Sequence, residues 1–363
     1  MSDDLKYMKR AVRLAGKGAG WVNPNPMVGA VLVKDDHVIG EGFHEYFGGN
    51  HAEVNALRGL SAAEVTGSTL YVTLEPCAHE GKTPPCADLI AENKISKVVI
   101  AMTDPNPRVN GKGISFLQSK GILVETGLME STARELNESF VKYITTGRPF
   151  VLLKSAMTLD GKIATVTNAS RWITGEASRK TVHILRQKYS AIMVGVDTVL
   201  FDDPLLNIRL KGSWKNPLKV IADTHCRISP DANVFRNDPQ LTIIATSGHA
   251  DPKKLKEIER IGAQVLLCPL KNNRVDLGFV MDSLGAMGID SVMIEGGSTL
   301  AFSALQDGIV DKMISFIAPK ILGGSNAPTA VGGKGIKTME DAINLKNMKV
   351  RKIGNDLMIE AWL

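Results

Sequence analysis

The spacing of apolar residues predicts helices that alternate with strands along the first part of the chain. Apolar positions at helical spacing predict an opening helix over residues 4–18. Two apolar runs around a polar turn predict strands at 28–33 and 38–42. Further elements predicted in this part are helices at 51–59, 86–93 and 130–143 and strands at 69–74, 97–102 and 122–126. This alternation favours an α/β layer fold.

A boundary is predicted at Thr146-Gly147-Arg148-Pro149, where Gly and Pro interrupt the pattern. We expect one domain at 1–146 and a second at 147–363, since a chain of 363 residues suits two domains. The second domain is predicted to contain strands at 150–156, 191–196, 219–223, 241–246, 264–268, 291–295 and 312–318 and helices at 178–188, 252–261, 275–287 and 298–306.

Composition narrows the class of protein. Hydrophobic residues make up 44% and charged residues 22%, as in ordinary globular proteins. The net charge is +5, and acidic and basic residues are interspersed along the chain. Because aromatic residues make up only 5% and no basic block is present, a nucleic-acid groove is disfavoured. The modest positive charge suits phosphorylated substrates. We find neither a secretory signal nor an apolar run of the ~20 residues needed to cross a membrane. We therefore expect a cytoplasmic protein without membrane or nucleic-acid partners.

His51, Cys77 and Cys86 are the candidate ligands of a metal ion. In the reducing cytoplasm, two nearby cysteines indicate a metal site before a disulfide. One nitrogen and two thiolates leave a fourth zinc position for water, whose pKa zinc lowers to near ~7. Glu53 follows His51 by two residues and can carry protons in the same cavity. We predict Glu53 as the catalytic residue.

His-x-Glu followed by two Pro-Cys units is the signature of zinc deaminases that act on nucleobases. The short form of this signature is Cys-x-x-Cys, whereas eight residues separate Cys77 from Cys86. A structural zinc site, closed by His44 or His79 as a fourth ligand, is the alternative. A structural site of this kind would give Glu53 no chemical role.

Longer motifs resemble one enzyme family over essentially the whole chain. They are Asn23-Pro-Asn-Pro26, Gly42-Phe-His44, Glu75-Pro-Cys77 with Pro84-Pro-Cys86, Asp104-Pro-Asn-Pro107, Phe150 to Ala164, Ser170 to Gly175 and Glu295-Gly-Gly297. The sequence resembles the bifunctional deaminase–reductases of bacterial riboflavin biosynthesis, in which the long cysteine spacing is itself a pattern. The resemblance implies a cytidine-deaminase-like three-layer domain followed by a dihydrofolate-reductase-like domain. It also implies zinc, NADPH, a small phosphorylated pyrimidine substrate (a diaminopyrimidinone carrying a phosphoribosylamino group) and a homo-oligomer, dimer or tetramer.

The same resemblance implies site residues. In the first domain, substrate contacts are Asn23, His44, His79 and Lys82, although the histidines could instead cap loops and Asn23 could shape its turn. In the second domain, NADPH contacts are Ala156, Trp172, Thr198, Asp202, Gly297, Ser298, Thr299, Leu300, Ala301, Phe302 and Ser303. Substrate contacts there are Ser170, Arg186, Leu206, Arg209 and Glu295. Lys154 joins them because a lysine in an apolar strand suggests function.

The physical chemistry of the second half is compatible with these roles. Glu295-Gly-Gly lies between a predicted strand and helix, where backbone N–H groups can approach a phosphate. The Gly-x-Gly-x-x-Gly fingerprint of Rossmann domains is absent. Arg186 and Arg209 suit phosphate recognition, although either could be a solvated charge. Lys154, Asp202 and Glu295 all remain candidates to assist hydride transfer.

Two other functions are compatible with parts of the sequence. One is a deaminase of nucleic-acid bases, such as a tRNA adenosine deaminase, with an accessory domain. The few aromatics, the long cysteine insert and the reductase-like half argue against it. The other is a structural zinc module joined to a nucleotide-binding interaction domain, and Glu53 beside His51 argues against that one.

Overall fold

The structure is a computed structural model that describes residues 3–78, 85–107 and 109–363. The chain divides into two compact units, Met1–Gly147 and Arg148–Leu363. The helix before the division ends at Gly147, whose φ of 73° is readily adopted by glycine. None of the described helices combines the length and apolar character that crossing a membrane would require.

The first unit is built on a sheet with the order β2-β1-β3-β4-β5 in the described residues. β1 pairs antiparallel with β2 and with β3, whereas β3, β4 and β5 are parallel. The strands are β1 (Gly29–Lys34), β2 (His37–Phe43), β3 (Thr69–Val72), β4 (Lys97–Ile100) and β5 (Leu123–Thr126). Parallel strands meet with their carboxyl ends at one edge, which is where β3 leads into Cys77.

Helices cover both faces of this sheet and complete three layers. They are α1 (Asp3–Ala15), α2 (Ala52–Leu57), α3 (Ala62–Val65), α4 (Cys86–Glu92), α5 (Lys112–Ser119), α6 (Glu130–Leu136) and α7 (Glu138–Thr146). Residues from α2, α4 and α5 pack with Ala30 and Leu32, whereas residues from α1, α6 and α7 pack with Val31 and Val33. Alternate residues of β1 therefore point into two cores, as the pleat requires.

Glycines in β2 allow α2 to lie directly against the sheet. A Cβ on Gly40 would come 2.1 Å from the Ala56 carbonyl oxygen, and one on Gly42 would come 2.3 Å from the Ala52 carbonyl oxygen. No side chain fits at such distances, so glycine at both positions determines how closely α2 approaches. The start of α2, which carries His51 and Glu53, is positioned by this contact.

The helix predicted at 130–143 is two helices in the structure, because the chain bends at Asn137. The buried Asn137 amide uses its oxygen to accept from Met27 N (2.8 Å) and its nitrogen to donate to Met27 O (3.0 Å). This distant partner determines the break. α3 and α5 are also helices that the apolar spacing did not predict.

The second unit is built on a sheet with the order β10-β9-β8-β7-β13-β6-β14-β16-β15 in the described residues. The seven strands from β10 to β14 in this order are parallel, and β16 and β15 continue it antiparallel. The strands are β6 (Phe150–Thr158), β7 (Ala191–Gly195), β8 (Leu218–Ala222), β9 (Thr242–Ser247), β10 (Gln264–Cys268), β13 (Ser291–Ile294), β14 (Lys312–Ala318), β15 (Lys346–Ile353) and β16 (Asp356–Trp362), with a separate small hairpin of β11 (Leu270–Lys271) and β12 (Arg274–Val275).

Two helical layers enclose this sheet. The helices are α8 (Glu176–Lys188), α9 (Val196–Asp202), α10 (Pro252–Arg260), α11 (Leu277–Ala286) and α12 (Ser298–Gln306). Apolar residues of α8, α9 and α10 pack with Leu152 and Ile192 on one face, whereas α11 and α12 pack with Val151 and Met193 on the other. The α/β fold class predicted from the sequence is observed in both units.

The hairpin of β15 and β16 was not predicted. Most residues of β15 are exposed, so this edge strand lacks the buried alternation that identifies a strand in the sequence. Its pairing with β16, and the pairing of β16 with β14, define it instead.

Candidate active sites

His51, Cys77 and Cys86 come together in the first unit, as predicted. Their ligand atoms all lie within 4.8 Å of one another. His51 Nδ1 is 3.2 Å from Cys86 Sγ and 3.6 Å from Cys77 Sγ. His51 immediately precedes α2, Cys77 follows β3, and Cys86 begins α4. One nitrogen and two sulfurs fit zinc and leave a coordination position open.

The pKa values of the two thiols shift in opposite directions because the thiols contact each other. The hydrogen bond with Cys86 lowers the pKa of Cys77 to about 4, and the same contact, with burial, raises the pKa of Cys86. Contact with Cys77 also raises the pKa of His51. A bound cation favours both thiolates and the neutral imidazole, so metal binding displaces these protons.

Glu53 is buried beside the ligand cluster, with 3% of its surface exposed. Burial raises the pKa of Glu53 to about 6, against the opposing effect of the His51 charge. A carboxyl group with a pKa near neutrality suits a residue that must both take up and release protons. The catalytic role of Glu53 stays a prediction, and its burial beside the three ligands places it within the same cavity.

His44 is held rigidly next to the metal ligands. Its Nδ1 lies 2.9 Å from Asn50 O and its Nε2 lies 3.2 Å from Asn25 Nδ2, so the ring donates to the carbonyl and accepts from the amide. Burial lowers the pKa of His44, which favours this neutral form. Within the described residues His44 does not belong to the ligand cluster. The structure therefore gives no support to His44 as a fourth ligand.

Of the other three residues predicted to contact substrate in this unit, the structure describes one. Asn23 lies half-buried in the loop before β1. His79 and Lys82 lie outside the described residues.

Glu75 is a residue whose role the sequence did not reveal. Its buried carboxylate accepts hydrogen bonds from four backbone N–H groups, those of Asp104 (3.1 Å), Gly111 (3.0 Å), Gly113 (2.9 Å) and Ile114 (3.3 Å). Gly113 also has to be glycine, because a Cβ there would come 2.0 Å from the Pro76 carbonyl oxygen. Glu75 thus joins the segment before Cys77 to the loop that follows β4 and to the first turn of α5.

A cavity of about 560 Å³ opens in the second unit, at the carboxyl ends of β6, β7, β8 and β13. In open α/β sheets this edge is the usual place for ligands. Twelve predicted site residues line it: Lys154, Ala156, Ser170, Thr198, Asp202, Glu295, Gly297, Ser298, Thr299, Leu300, Ala301 and Ser303. Gly296 and Gly297 have φ values of 105° and 83°, which glycine tolerates, where the chain turns from β13 into α12.

Glu295 is the centre of a buried charge cluster at this cavity. Arg186 donates Nε to Glu295 Oε1 (2.6 Å) and Nη2 to Oε2 (2.9 Å), and Lys154 Nζ lies 3.5 Å from Oε2. Burial alone would raise the pKa of Glu295, but Arg186 and Lys154 outweigh it and lower the pKa to about 2. Burial lowers the pKa of Lys154. In this structure the Arg186 guanidinium therefore makes two parallel hydrogen bonds with the Glu295 carboxylate.

Five predicted residues are not part of the cavity lining in the described chain: Trp172, Arg186, Leu206, Arg209 and Phe302. Leu206 is buried in the apolar core, and Phe302 lies against Gly333. Trp172 is 60% exposed with the Arg179 guanidinium 4.6 Å from its ring centre. The backbone N–H of Arg209 donates to His183 Nδ1 (3.3 Å). The resemblance identified these residues, whereas this structure does not bring them to the cavity wall.

Comparison with known proteins identifies both units. Residues 1–102 match the cytidine and deoxycytidylate deaminase zinc-binding region, and residues 149–359 match the RibD C-terminal domain. The chain is 46% identical to the riboflavin biosynthesis protein RibD of Actinobacillus pleuropneumoniae, over 98% of this chain and 94% of that protein. It is 38% identical to the RibD protein of Escherichia coli K12, over 98% of both chains.

Solved structures show the same architecture over the full length. Acinetobacter baumannii RibD has a TM-score of 0.89 and 37% identity, covering 99% of this chain and 98% of that one. A diaminohydroxyphosphoribosylaminopyrimidine deaminase/5-amino-6-(5-phosphoribosylamino)uracil reductase from Thermotoga maritima has a TM-score of 0.88 and 40% identity, with the same coverage.

These matches confirm the resemblance inferred from the motifs and the predicted pairing of a deaminase-like unit with a reductase unit. Zinc and NADPH, the cofactors predicted from that resemblance, are those of the matched family. The chain belongs to the RibD family, the bifunctional deaminase–reductases of riboflavin biosynthesis.

Proposed function

We propose that the first unit deaminates a diaminopyrimidinone carrying a phosphoribosylamino group, and that the second unit reduces the ribosyl group of the product to a ribityl chain. The printed activities of the Thermotoga maritima relative support this substrate and this order. The observation that carries the proposal is the buried Glu53 beside the three ligands His51, Cys77 and Cys86.

Zinc, when held by His51, Cys77 and Cys86, lowers the pKa of a coordinated water and so supplies a nucleophile at neutral pH. Glu53 takes the protons of that water and passes one to the ring nitrogen and one to the leaving amino group. The amino group departs as ammonia, and the water oxygen becomes the new carbonyl oxygen. The raised pKa of Glu53 suits both halves of this transfer.

In the second unit, Lys154 is the residue that we assign as the proton donor. Its ammonium group gives a proton to the ring oxygen of the aminoribose while the bond from that oxygen to C1 breaks and the adjacent nitrogen forms a protonated imine. NADPH, when bound, supplies the hydride that C1 accepts. Glu295 stays ionised through its contacts with Arg186 and Lys154, so it orients Lys154 and does not donate a proton.

The remaining site residues keep the roles that the resemblance implies. We propose that Asn23, His44, His79 and Lys82 contact the deaminase substrate. In the second unit, we propose that the reductase substrate contacts Ser170, Arg186, Leu206 and Arg209. NADPH, when bound, would contact Ala156, Trp172, Thr198, Asp202 and residues 297–303. Location in the cytoplasm and assembly into a dimer or tetramer stay predictions from the sequence.

The two activities can be tested separately on the full chain. The zinc-loaded protein should release ammonia from the diaminopyrimidinone phosphate without NADPH, and NADPH should then be oxidised. The Glu53→Gln protein should release no ammonia but should still reduce the preformed aminouracil. The Lys154→Ala protein should still release ammonia but should not reduce the aminouracil. Glu92→Gln, an exposed position on α4, is the control and should leave both steps unchanged. Ammonia release that persists in Glu53→Gln would refute the proposed proton carrier.

A further inference from the structure

Two stretches of chain outside the helices and named strands form part of the wall of the cavity in the second unit. The first, residues 159–164, follows β6, and the second, residues 319–333, follows β14. Each contributes apolar side chains to the cavity lining, which are Ile163, Ala164, Pro328 and Ala330. None of these four side chains was predicted as a site residue.

Backbone hydrogen bonds join the two stretches edge to edge. Ile163 N donates to Pro328 O (2.9 Å), and Ala330 N donates to Gly161 O (3.3 Å). These bonds flank an isolated antiparallel bridge at Lys162. Each stretch therefore satisfies backbone groups of the other, and the pair presents an apolar surface to the cavity.

The Asp160 carboxylate adds a second connection between the same two stretches. Its Oδ2 accepts from Gly323 N (2.7 Å), and both of its oxygens accept from Leu322 N (3.2 and 3.3 Å). Its Oδ1 also accepts from the hydroxyl of Thr158 (2.5 Å), the last residue of β6. The bond from Thr158, with those from Gly323 and Leu322, lowers the pKa of Asp160 to about 2, so the acceptor is ionised at neutral pH. Asp160 is not among the described residues that line the cavity.

The proposed reduction passes through a species that water can destroy. Once the bond from the ring oxygen to C1 breaks, C1 is the carbon of a protonated imine. Water can add to C1, after which the bond from C1 to nitrogen breaks, with one water proton going to the nitrogen and the other to solvent. The products are a diaminouracil and an open-chain ribose phosphate with an aldehyde at C1, and no NADPH is consumed. Reduction therefore requires that water be kept from C1 until hydride arrives.

We propose that Asp160 is a positioning residue of the reductase, which fixes residues 319–333 against the loop after β6 and so keeps water from the imine. The apolar wall offers water no side-chain hydrogen-bond partner while the two stretches stay together. Without the Asp160 carboxylate, Leu322 N and Gly323 N lose a charged acceptor, and the stretches separate more often. The proposal rests on the proposed reductase function and adds the residue that protects its intermediate.

The test supplies the full chain with the preformed aminouracil and NADPH, and measures the ribose phosphate released for each NADPH oxidised. Oxidation is followed by nicotinamide absorbance, and ribose phosphate and diaminouracil are quantified by mass spectrometry. Spontaneous hydrolysis is measured without protein and subtracted. Because both amounts come from the folded protein, their ratio does not depend on how much of a variant is folded.

Asp160→Ala should raise this ratio about tenfold or more, because it removes the acceptor of two backbone N–H groups and one hydroxyl. Asp160→Asn keeps one acceptor oxygen and should lie between wild type and Asp160→Ala. Asp231→Asn, at an exposed position between β8 and β9, is the matched control and should leave the ratio unchanged. By hydrogen exchange, the N–H groups of Leu322 and Gly323 should exchange faster in Asp160→Ala but not in Asp231→Asn. Should Asp160→Ala not fold, Asp160→Asn carries both measurements.

Two results would overturn the proposal while leaving the reductase function intact. One is an Asp160→Ala variant that oxidises NADPH more slowly but keeps the wild-type ratio, since a merely structural role gives that outcome. The other is unchanged exchange of the Leu322 and Gly323 N–H groups in that variant. A wild type that oxidises no NADPH with the aminouracil would instead overturn the proposed reductase function, and this proposal with it.

Discussion

Replacing Glu75 by glutamine should loosen the segment that carries Cys77, although Glu75 touches neither the metal ligands nor Glu53 in the described contacts. Each oxygen of the Glu75 carboxylate accepts two backbone N–H groups: Oε2 from Asp104 and Gly111, and Oε1 from Gly113 and Ile114. In glutamine, one oxygen is replaced by an NH₂ group that cannot accept. Two N–H donors then lose their partner and face another donor.

The loss in free energy of unfolding follows from those two lost hydrogen bonds. A hydrogen bond to an ionised group contributes about 1.5–3 kcal/mol, so the loss is about 3–6 kcal/mol in a buried position. For a unit of this size, 3 kcal/mol lowers Tm by about 10 °C. Because the Cys77 segment becomes more mobile, zinc affinity should fall by about 10–100-fold, as for other residues that support metal ligands.

The assay is zinc competition with a chromophoric chelator, together with thermal unfolding of the zinc-free and zinc-loaded protein. Glu75→Asp keeps the charge but shortens the side chain, so its zinc affinity should lie between those of wild type and Glu75→Gln. Reduction of the preformed aminouracil by the second unit should be unchanged in both. A Glu75→Gln protein with wild-type zinc affinity and wild-type Tm would refute the reasoning.

Three further changes test the packing and charge arrangement. Gly42→Ala should displace α2, because its Cβ would lie 2.3 Å from the Ala52 carbonyl oxygen, and should lower ammonia release but not NADPH oxidation. Arg186→Met should destabilise the second unit by about 3–5 kcal/mol in urea unfolding, since the buried Glu295 loses its bidentate partner; a loss below about 1 kcal/mol, the usual value of a surface pair, would contradict this. The folded pKa of Glu295, about 2, lies below its unfolded value of about 4.3. Its stabilisation is therefore complete above about pH 4.3 and is lost as pH falls towards 2, so acid unfolding curves of wild type and Glu295→Gln should converge over that range.

The sequence by itself determined the chemistry of the first unit. His51, Glu53, Cys77 and Cys86 are the residue types that a zinc-activated hydrolysis needs, and short-range strand and helix signals placed them at element ends. Local patterns are sufficient here because each ligand lies at the end of an element that its neighbours define. The resemblance then identified the family and most of the predicted residues that line the cavity of the second unit.

Tertiary structure alone decided which polar groups are partners. Glu75 meets N–H groups 29 to 39 residues away, and Arg186 meets Glu295 across 109 residues. The buried Asn137 breaks a helix because it bonds to Met27, 110 residues earlier. The pKa of a buried carboxylate depends on the burial and charges that distant segments supply, and apolar spacing carries no information about either.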